Sequence, residues 1–214
     1  MRPSALTLYS PAAEIAYDDH RADIQNGDVL LYRGTTLDSR IIRWVTRSRY
    51  SHAGLAVWWN ERLMVMEAVG KGVVVTPLSS NVAGYRGDVE WFVPRDPLSA
   101  ADRLRLVEFA QRELGKEYAL AKAFLLGVRI LFQRDREKRD RLRREGQLFC
   151  SHYVAATYNA VGRDLKRGVS DRFMSPGDIA DSSVLQRRGA LKKREARHDR
   201  WFRRAGAREA VPPP

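Results

Sequence analysis

The chain has 214 residues, 44% of them apolar, and a formal net charge of +12. That length and apolar share fit one domain with its own core and an appendage. The single cysteine excludes an intrachain disulfide framework and a multi-cysteine zinc site.

The first nineteen residues hold no unbroken apolar run, because Ser10-Pro11 and Glu14 interrupt it, so no secretory signal is expected. Gly27-Asp28-Val29-Leu30-Leu31-Tyr32 reads as a turn feeding a buried strand. Leu37, Ile41, Ile42 and Val45 recur at helical spacing, which predicts a short helix within 35–46. Two strands follow, about 51–59 and 62–69, and the two residues between them, Asn60-Glu61, favour a tight hairpin. Further strands are expected at 72–76 and 88–93. Ser99 suits an N-cap with Asp102 in the first turn behind it. The helix it opens has Leu104, Val107, Ala110 and Leu114 as its expected buried stripe and Gly115 as its stop.

A second helix is predicted over 119–132. It is broken by Lys122 and Arg129 and is too short to span a bilayer. A third runs from Cys150 to Val161, and Ser175-Pro176-Gly177-Asp178 reads as a loop leading into a short turn. The charge sits in two blocks: residues 133–145 hold seven basic and four acidic residues, and residues 186–208 hold ten basic and two acidic ones. Such blocks solvate a chain or touch polyanions loosely, so a weak nucleic-acid contact through the basic tail is the expectation they raise. A lone cysteine suits a reducing compartment; the expected location is cytoplasmic or virion-associated.

Cys150 lies where a short apolar approach, Gln147-Leu148-Phe149, turns into a helical pattern, and His52 opens a strand far upstream. A cysteine at a helix start and a histidine on a strand are the parts of a thiolate–imidazole nucleophile. With Asn60 and Glu61 as the loop, cross-strand partners have numbers summing to 121, so Gly54 faces Glu67 and His52 faces Val69. Strand alternation then puts His52, Gly54, Glu67 and Val69 on one sheet face. Glu67 lies diagonal to His52 and is placed to orient its ring, the role of a third triad member. A slip of one residue would undo this arrangement.

Taken singly, each residue has a plain structural role open to it. A cysteine beside aromatics is often inert core, a strand histidine bonds backbone, and a glutamate faces solvent. His152 follows Cys150 by two and so lies on another side of the helix, which reads as structural or rim-forming. His52, His152 and Cys150 lack the spacing of a closed zinc site, and no metal or cofactor is expected.

The ordered set Gly27-Asp28-Val29-Leu30-Leu31, Ser51-His52-Ala53-Gly54, Glu67, Gly115-Lys116-Glu117-Tyr118, Phe149-Cys150-Ser151 and Ser175-Pro176-Gly177-Asp178-Ile179-Ala180 resembles the circularly permuted branch of the NlpC/P60 papain-like superfamily. That branch takes in YiiX-like bacterial proteins, a poxvirus relative and lecithin–retinol acyltransferase-type enzymes. Its histidine precedes its cysteine, as here, and the resemblance covers about residues 26–182. It implies an α+β fold, a small antiparallel barrel-like sheet packed on the helix that carries Cys150. It further implies Cys150 as nucleophile, His52 as base, Glu67 as the polar third residue and Tyr118 as a hydroxyl for substrate or oxyanion. The expected organisation is a lead-in over 1–25, a catalytic domain over 26–185 with a charged insertion at 133–145, and a basic tail over 186–214.

The leading expectation is a cysteine hydrolase cleaving an amide bond in a peptide or peptidoglycan-like stem peptide. A lipid thioesterase or acyltransferase with the same nucleophile is the alternative, with Phe124, Leu125, Val128, Leu131 and Phe132 lying on an anionic lipid or membrane surface. A non-enzymatic binding or virion-associated module is the third.

Overall fold

A computed structural model describes residues 13–69, 72–115 and 149–193. Tyr118, the helix expected over 119–132, the insertion at 133–145, and the chain before residue 13 and after residue 193 lie outside the described residues. Among the described residues the fold is α+β: one seven-stranded sheet with helices on both faces. The strands are β1 (Glu14–Ala16), β2 (Val29–Gly34), β3 (His52–Trp59), β4 (Arg62–Val69), β5 (Gly72–Pro77), β6 (Gly87–Pro94) and β7 (Leu185–Lys192). Their order is β1-β7-β6-β2-β3-β4-β5, antiparallel throughout except for the parallel pair of β1 with β7.

Alternation along the strands separates two cores. Leu31, Ala53, Leu55, Val57, Met66 and Ala68 face one way, toward the helices α4 (Ala100–Arg112) and α5 (Phe149–Asn159). Leu30, Tyr32, Ala56, Leu63, Val65 and Trp91 face the other way, with Leu78 of the short α3 (Leu78–Gly84). Helix α5 is held by two tyrosines. Tyr153 donates to the Ala110 carbonyl at 3.1 Å, and Tyr158 donates to the Gly27 carbonyl at 2.6 Å. Both hydroxyls are thereby satisfied inside the core. These bonds set the height of the helix against the sheet, and so the position of Cys150 in its first turn.

The hairpin register is as expected: Leu55 pairs with Met66, and the ladder continues to Trp59 with Arg62. Asn60 takes the left-handed conformation the tight turn requires, with φ 53°. The β3–β4 ladder ends at Leu55, however. Ahead of it β3 continues against β2, ending at the His52–Tyr32 pair, while β4 continues against β5 through Glu67–Val74 to Val69–Gly72. The expected pairs Gly54 with Glu67 and His52 with Val69 therefore do not belong to the ladder, although Gly54 still lies against β4, where a Cβ on it would stand 3.4 Å from Cβ of Glu67.

Four expectations are corrected. Residues 186–192 are not tail: they form most of β7, which inserts between β1 and β6 and buries Leu185, Ala190 and Leu191. Its basic residues hid the alternation, but Arg187 pairs with Glu90 and Lys192 with Asp88 on β6. Gly189 lets β1 approach, since a Cβ there would stand 2.5 Å from the Ala13 carbonyl oxygen. The lead-in likewise contributes structure, as β1 and as the fully buried Ile24. On α4, capped by Ser99 as expected, Leu104 is 61% exposed and the buried residues are Leu106, Val107 and Ala110. At 100° per residue Leu106, Ala110 and Val107 share an arc of about 100°, and Leu104 lies about 60° beyond Val107, outside it. Finally, Ser175 and Asp178 form a reciprocal capping box that opens a helix, α6 (Pro176–Ala180), where a loop was expected.

Candidate active site

His52 is the first residue of β3 and lies on the same sheet face as Tyr32, whose ring centroid is 5.2 Å from its own. Nε2 of His52 lies 2.6 Å from Oε2 of Glu67. The other carboxylate oxygen accepts from the Thr76 hydroxyl at 3.2 Å, and Asn81 reaches the same carboxylate while donating to the Tyr32 hydroxyl at 2.9 Å. Glu67 is thus anchored on both oxygens, and its orientation is set by β5 and α3 as well as by its own strand.

Cys150 arrives from the opposite side of the sheet. Helix α5 packs on Ala53, Leu55 and Met66, and the half-buried thiol stands beside the His52 ring and the Ala53 backbone N–H, just beyond the end of the β3–β4 ladder. Ser151 lies next to it, with Oγ 3.9 Å from the sulfur. Because Glu67 occupies Nε2, the ring nitrogen left to face the sulfur is Nδ1.

Each ionisation reports this arrangement. Burial pushes the Cys150 thiol up, but the His52 charge and hydrogen bond, the Ala53 amide and Ser151 outweigh it and leave the thiol below its ordinary range. Burial likewise works against a charged His52 ring, yet the Cys150 thiolate and the Glu67 carboxylate hold it well above the ordinary imidazole range. Burial also works against the Glu67 charge, and His52, Thr76 and Asn81 still bring it below the usual glutamate value. Three groups on three elements therefore stabilise one another in the charged forms, thiolate, imidazolium and carboxylate, a coupling concentrated at functional sites.

His152 takes no part in this. It lines a shallow depression of about 380 Å³ with Asn159, Asp171 and Arg172, and burial lowers its pKa. Thr76 and Asn81 escaped sequence reasoning. Thr76 was within reach of it: Glu67 pairs with Val74, and Thr76, two residues on, shares that face. Asn81 sits in Ser79-Ser80-Asn81, which carries no periodic signal. Among the described residues no group of three histidine, cysteine or acidic side chains stands together as a cation site, and no helix is long and apolar enough to cross a membrane.

Comparison with known proteins bears on this site. Residues 23–124 match the model of the C92 peptidase family, described as a permuted papain-like amidase of the YaeF/YiiX type. That span includes His52 and Glu67 and stops short of Cys150. The uncharacterized protein YiiX of Escherichia coli strain K12 is 35% identical over 95 residues, 44% of this chain; the match spans 46%, about half, of that protein's length. A crystal structure of YiiX from Escherichia coli O157:H7, described as a metalloprotein, superposes with a TM-score of 0.56 at 24% identity and covers 81% of this chain and 99% of its own. At that identity the superposition speaks to the fold alone. The word metalloprotein is said of that protein. Together the family match and the relative support a permuted papain-like family of the YiiX-like kind, and the superposition supports its fold.

Proposed function

Starting from a permuted papain-like, YiiX-like family, we propose that this chain hydrolyses an amide bond in a peptide or peptidoglycan-like stem peptide. Cys150 is the nucleophile, His52 the acid–base group and Glu67 the orienting carboxylate. The observation that carries the proposal is the His52 ring standing between the Glu67 carboxylate and the Cys150 thiol. In the first step the thiolate adds to the carbonyl carbon, and the oxyanion forms near the start of α5. First-turn backbone N–H groups of a helix lack intrahelical acceptors and point at such a charge. The His52 imidazolium then gives its Nδ1 proton to the leaving nitrogen as the C–N bond breaks, leaving a thioester on Cys150. In the second step the neutral ring takes a proton from water, the hydroxide adds to the thioester carbonyl, and the thiolate leaves with the imidazolium restored beside it. Glu67 stays ionised throughout, holding the ring and its charge.

The test is activity-based labelling with amide-type and ester-type cysteine electrophiles, with Cys150→Ala as control. Labelling by the amide type that vanishes in Cys150→Ala is the expected result. Labelling by the ester type alone would move the activity to acyl-ester chemistry, and labelling that persists in Cys150→Ala would remove the nucleophile.

A further inference from the structure

The helix between β2 and β3 carries a surface feature with no part in the site. Helix α2 (Leu37–Thr46) is capped at its start by Thr36, whose side chain accepts from the Ser39 backbone N–H, and closed by Arg47 in the left-handed conformation with φ 51°. It is built to be stable, yet it turns apolar side chains outward. Leu37 is 74% exposed, Ile41 36% and Trp44 67%, and they account for three of the five large exposed apolar side chains among the described residues. At 100° per residue these three fall within an arc of about 60°, a continuous stripe along the helix. The opposite side meets the protein: Ser39 lies against Gly34, and Ile42 and Thr46 are half-buried.

Charge is arranged around this stripe. Arg40 and Arg47 are exposed on one flank of it and have no carboxylate partner among the described residues. The helix and its cap hold three arginines against one aspartate. A one-residue-wide stripe about 15 Å long is too narrow for a stable protein interface, which needs about 800 Å² on each partner. Acyl chains conform to any apolar shape and need no such area. An apolar stripe with a tryptophan, flanked by exposed arginines, suits the boundary between lipid tails and anionic headgroups.

We propose that α2 is a docking surface for an anionic lipid bilayer, lying flat in its interface with Leu37, Ile41 and Trp44 among the acyl chains and Arg40 and Arg47 at the level of the phosphates. Docking there brings Ser51-His52, a few residues beyond the helix, close to the bilayer. This proposal stands apart from the identity of the scissile bond.

The test uses the full chain and vesicles of phosphatidylcholine with phosphatidylglycerol, with and without bromine on the acyl chains. The difference in fluorescence between the unaltered protein and Trp44→Phe isolates Trp44 from the other four tryptophans. Bromine is expected to quench the Trp44 component, and the charge-preserving double variant Leu37→Gln/Ile41→Gln is expected to lower vesicle affinity roughly ten-fold. These positions are exposed, so the variant keeps its circular dichroism. Equal affinity of the double variant, or sedimentation with Trp44 untouched by bromine, would assign binding to the basic segments and overturn the proposal. So would a Trp44 emission already blue-shifted without vesicles, which would mean that the chain's own residues cover this face, or a self-association lost in the double variant without vesicle binding. Hydrolysis of soluble substrates is expected to stay unchanged, so failure here leaves the assignment of Cys150 intact.

Discussion

Nε2 of His52 stands 2.6 Å from Oε2 of Glu67, just beyond the end of the β3–β4 ladder. The short contact assigns one ring nitrogen to the carboxylate and leaves the other for the sulfur of Cys150. It also explains why three buried groups keep their charges together: each has an opposite charge, or a donor to its own, within contact.

Cys150 is expected to react with iodoacetamide near neutral pH faster than an unperturbed thiol. Its pH–rate curve should rise below the ordinary thiol range of ~8.5. His52 lies next in line as the cause of the depression, after burial, which opposes it. His52→Ala should therefore remove the excess reactivity and move the rise to higher pH. Stopped-flow alkylation measures both, and equal rates in the two proteins would dissolve the pair.

Glu67→Gln should keep the fold and lower turnover on the order of ten- to a hundred-fold. A neutral amide still accepts the ring N–H but does not support the imidazolium, and each tenfold corresponds to about 1.4 kcal/mol. The stability effect has a definite sign. Glu67 is depressed in the folded protein, so the unfolded chain binds its proton first as pH falls. The unaltered protein's advantage over Glu67→Gln is present above the ordinary glutamate range and is lost as pH falls through the depressed value. Urea unfolding at several acidic pH values reads this directly, and a pH-independent difference would show that Glu67 does not titrate as described.

Gly54→Ala is expected to destabilise the protein by about 1–3 kcal/mol, the usual cost of overpacking. An added Cβ would lie 2.7 Å from Cγ1 of Val65, 3.3 Å from the Met66 carbonyl oxygen and 3.4 Å from Cβ of Glu67. Valine is stiff about χ1 and the other two contacts belong to β4, so the strand must move and carry Glu67 away from His52. Thermal unfolding together with the alkylation rate of Cys150 checks this; an unchanged rate would mean that the site tolerates the shift.

Truncation before Gln186 should abolish cooperative folding, whereas truncation after Lys193 should retain it. The first cut removes nearly all of β7, including buried Ala190 and Leu191, the Arg187 and Lys192 ion pairs, and the partner of β1. A leucine fully buried contributes about 1.5–3 kcal/mol, and a domain's whole stability is about 5–15 kcal/mol. Circular dichroism melts of the two truncations decide it, and a cooperative melt for the shorter chain would make β7 dispensable.

Much of the site could be read along the chain. The β3–β4 register followed from a two-residue loop and a period of two, local rules that need no knowledge of the rest of the molecule, and they put His52 and Glu67 on one face. The cysteine at a helix start and the order of histidine before cysteine were equally plain. Strand β7 was not, because three basic residues among eight look like a solvated segment until Asp88 and Glu90 of β6 pair with two of them. The partners of Glu67 were obscure for a similar reason: Asn81 has no local pattern, and its role exists only because α3 folds back over β4.

What the order of residues determined was therefore everything carried by neighbours in the chain: strand faces, the hairpin, the caps and the identity of the chemically competent groups. The meeting of sulfur and ring was decided only in three dimensions. It requires α5 to pack on one side of the sheet, His52 to face the other, and the β3–β4 ladder to end ahead of both. The β3–β4 ladder ends at Leu55–Met66 while β2 and β5 hold the outer edges of the two strands, long-range pairings that no local period records.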